Sequence, residues 1–139
     1  MPSKCETNCS DSKTKQLYEY SVVQYVPNIE RGEFINIGLV MMCKRRRWLQ
    51  VRFHIDCERL RALFGEVDCN ILKAQISSFE LIGKGDVANG GPIASFEAHE
   101  RFRWLTAVRS ASIQTSRPHA GLTDDLEMTF NSLFHSMVE

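Results

Sequence analysis

Residues 34–55 read FINIGLVMMCKRRRWLQVRFHI, and their alternation decides the fold. In the first half, Ile35, Ile37, Leu39 and Met41 share one side of an extended chain, and Phe34, Asn36, Gly38, Val40 and Met42 share the other. After the basic turn Lys44-Arg45-Arg46, Leu49, Val51, Phe53 and Ile55 face one way, while Trp48, Gln50, Arg52 and His54 face the other. A period of two through both halves predicts two strands, Phe34–Cys43 and Arg47–Ile55, in a sheet with one buried face. Upstream, Leu17–Val26 is rich in tyrosine and valine and predicts a further strand. Pro27-Asn28 stops it, because proline cannot donate to a ladder. Three strands joined by short links make an antiparallel meander.

Beyond Ile55 the period changes. Asp56 is a good cap for a short helix carrying Leu60, Leu63 and Phe64, with Gly65 as its stop. Asp68 caps a second helix, in which Ile71, Leu72, Gln75, Ile76 and Phe79 recur at helical spacing and Gly83 ends the run. Gly83–Pro92 holds four glycines and a proline and reads as a mobile loop. The segment 94–102 is ambiguous, with Ser95 as a possible helix cap. Trp104–Gln114 alternates weakly and reads as a strand, and Thr115–Gly121 as a loop. Asp124 and Glu127 form a capping box for a last helix striped by Leu126, Phe130, Leu133, Phe134 and Met137. Strands and helices are segregated along the chain. The expected class is α+β: an antiparallel sheet, made of a three-strand meander plus a later strand, with helices packed on one face. Residues 1–16 lack an apolar period and read as a disordered tail, leaving 17–139 as a single domain.

Composition narrows the function. The 139 residues suit one domain, which at this size buries roughly two-thirds of its unfolded surface without a metal or disulfide. Seventeen Lys and Arg balance seventeen Asp and Glu, which argues against non-specific coating of nucleic acid, since that needs a cationic excess. No stretch approaches the roughly 20 apolar residues of a membrane span, and the amino terminus has no apolar core of a signal peptide. The expected compartment is the cytosol. There the five cysteines, Cys5, Cys9, Cys43, Cys57 and Cys69, form no CxxC pair and read as reduced thiols. No metal site and no cofactor are expected.

Candidate chemistry falls in a few places. His54 and Asp56 follow Trp48, Gln50 and Arg52 on one strand face and could hold a phosphate or exchange a proton. A solvated sheet face, with Asp56 simply capping a helix, explains them as well. Arg31 and Glu33 precede Asn36 and Gly38. A glycine and an asparagine within a strand suggest a bulge or the close approach of a ligand, against a loop whose charges are merely solvated. Arg101, Arg103, Arg109, Arg117 and His119, with Trp104 among them, could grip phosphates, or could pair with carboxylates on the surface. The run Lys44–Arg47 reads as a solvated turn, with a nucleic-acid contact as the alternative. There is no GxSxG, HExxH or phosphate-cradling glycine loop in a proper context, so enzymatic activity is not favoured.

Two stretches carry a resemblance. Tyr20–Pro27, followed by Arg31–Gly38, resembles the opening of a small bacterial family, domain of unknown function 3037. Arg103–Ala107 with Arg109-Ser110, then His119–Leu122, resembles that family's second signature. The likeness spans residues 17–138, and departs from the family at Val108, where proline is typical. It implies a bacterial cytosolic protein, often encoded beside a kinase like the toxin component of HipA-type toxin–antitoxin pairs. It implies no reaction. It singles out Arg31, Glu33, Asn36, Gly38, Arg103, Arg109, His119 and Gly121 as binding residues, with both signatures expected to converge on one surface. The expected function is a non-enzymatic protein-binding or regulatory module, with such a kinase as the partner the resemblance implies. The alternative is a phosphate or nucleic-acid binder, or a hydrolase, using the arginines and His119.

Overall fold

The computed structural model describes residues 15–27, 29–107 and 112–138. The tail to residue 14, with Cys5 and Cys9, and residues 108–111, with Arg109 and Val108, lie outside the described residues. Strands β1 (Gln16–Tyr25), β2 (Ile35–Cys43) and β3 (Trp48–Phe53) form the expected antiparallel meander. Two later strands, β4 (Ile113–Thr115) and β5 (His119–Thr123), lie end to end along the other edge of β1. The sheet order is β3-β2-β1-β4, with β5 also on β1. The described residues form five α-helices: α1 (Cys57–Phe64), α2 (Cys69–Lys84), the single turn α3 (Val87–Gly90), α4 (Ala98–Leu105) and α5 (Leu126–Met137). The fold is α+β, an open antiparallel sheet with helices against it.

The helices do not all lie on one face. Helices α1, α2 and α4 bring Leu60, Leu72, Ile76, Phe79, Phe102 and Leu105 onto one side of the sheet. Helix α5 packs Phe130 and Phe134 on the other, against Val22, Leu39 and Met41. The β3 face that the sequence left to solvent therefore lies under α5. Arg52 sits 4.9 Å from the Phe130 ring centroid and 5.3 Å from that of Phe134, and donates to Asn131 Oδ1 at 2.8 Å. With its amide nitrogen turned toward Glu127, Gln50 donates to Oε2 at 2.7 Å and accepts from Arg52 at 3.2 Å. Arg52 can lie there because its guanidinium is attracted to aromatic faces while its donors reach the helix edge.

Two bulges set which side chains meet which helices. Val23 pairs with Gly38 but Gln24 pairs with Asn36, so Ile37 has no partner on β1. The extra residue reverses the alternation. Ile35 and Ile37 join Val40 and Met42 under α1, α2 and α4, while Leu39 and Met41 face α5. The sequence's single-face grouping of Ile35, Ile37, Leu39 and Met41 is thus corrected. The second bulge lies between β4 and β5. Thr115 pairs with Val23 and His119 with Tyr20, so Ser116, Arg117 and Pro118 span only Ser21 and Val22. Ser116 holds it closed: its N–H donates to Val22 O at 2.9 Å, and its hydroxyl accepts from Val22 N at 2.9 Å. The buried Ser21 hydroxyl donates to Ser116 O. Pro118, lacking a donor, suits an edge strand.

The helix caps follow sequence chemistry, with shifts. Asp56 accepts from Arg59 N and Asp68 from Asn70 N and Ile71 N, as expected. Helix α2 passes Gly83 and ends at Gly85, whose φ of +73° is the left-handed cap. Gly83 serves packing instead, since a Cβ there would sit 2.5 Å from Val51 Cγ2. The expected loop 83–92 contains α3, capped by Asp86 through Asn89. Trp104 belongs to helix α4, not to a strand. Glu97 and Glu100 make its capping box, and Ala98, Phe102 and Leu105 supply its buried stripe. Among the described residues of the expected strand 104–114, only Ile113 and Gln114 are extended, within β4, and residues 119–121 of the expected loop belong to β5. Helix α5 is capped by Asp125, one residue later than expected, through Met128 N at 3.0 Å. Cys57 and Cys69, read as thiols, form a disulfide because the α1–α2 turn brings these first helical residues to a Cα separation of 6.3 Å. Among the described residues Cys43 is a free, buried thiol. No described helix is long and apolar enough to cross a membrane.

Candidate functional site

The residues singled out by sequence occupy two separate places. At the Tyr25–Ile35 end of the sheet, Arg31 and Glu33 are exposed and pair with each other, Nε to Oε1 at 3.1 Å. Asn36, on the next strand, turns inward. Its Nδ2 donates to Met137 O at 3.0 Å and ties the end of α5 to β2. Its Oδ1 is buried without a protein donor. Gly38 lies flat under Phe53: a Cβ would meet the ring at 2.5 and 2.7 Å and Arg52 O at 3.0 Å. The asparagine and glycine that looked like ligand positions are thus committed to packing, one capping a helix and one admitting an aromatic ring.

At the Gln16–Tyr20 end, Arg103 reaches from α4 to Glu19, with two contacts of 3.4 Å. His119 pairs across the strands with Tyr20, ring centroids 5.4 Å apart. Gly121 pairs with Tyr18, whose hydroxyl lies 2.5 Å from where a Cβ would stand. Glu19 and Tyr20 are adjacent on a strand, so Arg103 and His119 lie on opposite faces of the sheet. His119 and Arg31 are further apart still. His119 pairs with Tyr20, whereas Arg31 lies in the connection between β1 and β2, beyond the Tyr25–Ile35 pair, and Tyr20 and Tyr25 are five residues apart, about 17 Å at a strand's rise. Both signatures flank β1, but the expected convergence on one surface is not what the geometry gives.

Of the remaining basic residues, Arg101 is structural. Its guanidinium donates to the carbonyls of Ile82 at 2.8 Å, Gly83 at 3.0 Å and Phe96 at 3.0 Å, closing the carboxy-terminal end of α2. Burial lowers its pKa from the ordinary arginine value. Arg117 is exposed on the second bulge. Asp56 is taken up in its cap.

The sequence reading passed over two features. One is the row Tyr18, Tyr20 and His119 on the α5 face, signalled only by the Tyr-x-Tyr spacing in β1. The other is an apolar groove of about 430 Å³ between α2 and α4, lined by Ile71, Ala74, Phe79, Trp104 and Ile113, with Gln75 and Ser78 at its edge. Ile71 is 59% and Trp104 44% exposed on its rim. Trp104 was noticed as an aromatic among arginines, but Ile71 was assigned to the core stripe. Its exposure follows from its angular position: Cys69, Leu72, Ile76 and Phe79 form the buried stripe of α2, and Ile71 lies one residue to its side. Among the described residues, no three His, Cys, Asp or Glu side chains are grouped to hold a metal ion.

These features define an α+β protein whose open antiparallel sheet is covered on both faces and which presents an apolar groove between two of its helices. The chain belongs to the DUF3037 family, proteins of unknown function, whose model matches residues 20–138. No curated protein and no solved structure matches the chain.

Proposed function

We propose that this protein works by binding another protein, as a regulatory module of the bacterial cytoplasm rather than as an enzyme. The observation that carries this reading is the groove between α2 and α4, with Ile71 and Trp104 half-exposed on its rim over an apolar floor. Large exposed apolar residues around a hollow mark interaction sites, and tryptophan is the residue type most enriched among those that dominate binding energy. Gln75 and Ser78 supply the polar edge that such interfaces carry. The partner that the family resemblance implies is a HipA-like kinase of the toxin–antitoxin type.

Co-expression with a HipA-like kinase tests this. The two should elute together at micromolar concentration, and Trp104→Ala should weaken the complex by roughly 2–4 kcal/mol, about 30- to 1,000-fold in Kd. Proteins that elute apart, or a complex indifferent to Trp104→Ala, would count against it.

A further inference from the structure

The tip of the β2–β3 hairpin, Lys44–Arg47, places four cations in four residues on a chain of zero net charge. All four are exposed. The ion pairs of the described residues, Arg31–Glu33 and Arg103–Glu19, involve none of them. A chain of zero net charge thus concentrates four of its seventeen cations at one turn. Lys44, Arg45 and Arg47 border a hollow of about 560 Å³ together with Leu17 and Glu97. Arg46 borders a different one, beside Asp124, Asp125 and Glu127. Three cations thus share one side of the tip.

The turn carries a second sign. Arg47 is the one non-glycine residue with positive φ among those described, at +52°, and its N–H donates to Lys44 O at 3.1 Å to close the turn. Glycine or asparagine ordinarily occupies such a position, because a Cβ crowds the following carbonyl. An arginine there places a third cation where backbone chemistry alone favours a residue without charge.

We propose that this turn binds the phosphate backbone of duplex DNA. Arginine grips phosphate oxygens in a two-pronged geometry, and a major groove about 12 Å wide admits a two-stranded β-ribbon. An acidic protein partner fits less well. Among the described residues bordering the hollow Leu17 alone is apolar, whereas protein interfaces centre on apolar and aromatic anchors. Phosphate contact needs only cations. The surface is separate from the α2–α4 groove and independent of the protein-binding reading: Ile113 in the groove pairs with Tyr25, while the turn lies beyond the Glu19–Met42 pair at the other end of β1.

The test is fluorescence anisotropy of the full chain with a labelled DNA duplex of about 20 base pairs, repeated with labelled polyglutamate of similar length. Three phosphate contacts give a log–log salt slope near −2.7, so affinity should fall roughly 40-fold between about 50 and 200 mM salt. Arg45→Ala with Arg47→Gly, which eases the turn and so should keep the native circular dichroism, should flatten the slope to about −0.9. Arg61→Ala, an exposed cation elsewhere, should leave binding unchanged. Absence of salt-dependent DNA binding, an unchanged slope in the folded double variant, or tighter binding to polyglutamate than to DNA would overturn the proposal.

Discussion

Gly38→Ala asks whether a family-signature glycine serves the fold or a ligand. The new methyl would stand 2.5 Å from Phe53 Cδ1, 2.7 Å from Cε1 and 3.0 Å from the Arg52 carbonyl. The ring cannot swing away freely, because it packs edge-on against Phe79 at 5.9 Å. Overpacking of this kind costs about 2 kcal/mol. Phe53→Leu alone should cost about 1–2 kcal/mol, from lost area and the ring pair with Phe79. In the double variant the leucine vacates the space the methyl needs. The total should then stay near the cost of Phe53→Leu alone, a coupling of about 1–2 kcal/mol. Urea unfolding followed by tryptophan fluorescence reads this directly. At a typical slope of about 2 kcal/mol per molar urea, Gly38→Ala should lower the midpoint by about 1 M. A Gly38→Ala variant as stable as the parent, or costs that simply add, would refute the packing account and return Gly38 to the ligand-contact reading.

Arg101→Ala should destabilise by about 2–3 kcal/mol, because it strips charged donors from three carbonyls. Arg103→Ala should cost less than about 1 kcal/mol, because its pair with Glu19 is largely exposed. Thermal unfolding of the two variants separates them, and equal losses would contradict the assignment of Arg101 as the structural member. Reducing the Cys57–Cys69 bond, with a sequence separation of 12, should lower stability by about 3 kcal/mol through the released loop. Urea midpoints with and without dithiothreitol measure it, with Cys69→Ala as the reagent-insensitive control. Identical midpoints would mean the bond does not constrain the chain.

Much of the frame was legible from residues alone. The alternation in 34–55 specifies the β2–β3 hairpin, Asp56 and Asp68 mark two helix starts, and the apolar stripe of residues 126–137 marks the last helix. The candidate site was legible only as a set of residues. Asn36 and Gly38 do break the strand pattern, but their causes, the Met137 carbonyl and the Phe53 ring, lie on other elements. Arg103 and His119 are close in sequence to other basic groups, yet fall on opposite faces of β1. The α4 stripe of Ala98, Phe102 and Leu105 is not legible locally, because it runs from the ambiguous segment 94–102 into the weak alternation that begins at Trp104.

The sequence by itself determined the class, the order of the meander and the starts of α1 and α2, because these depend on short-range periodicity and on caps within a few residues of their donors. The tertiary structure decided which face each side chain occupies. One unmatched residue at Ile37, and three residues set against two at Ser116–Pro118, shift the register by a single step. In a period-two element a single step exchanges the faces. That exchange turns Leu39 and Met41 toward α5 while Ile35 and Ile37 face the other helices, and it sets the exposed His119 beside the half-buried Tyr20 on the α5 face. Such a shift is set by pairing between strands distant in the chain, which no local pattern encodes.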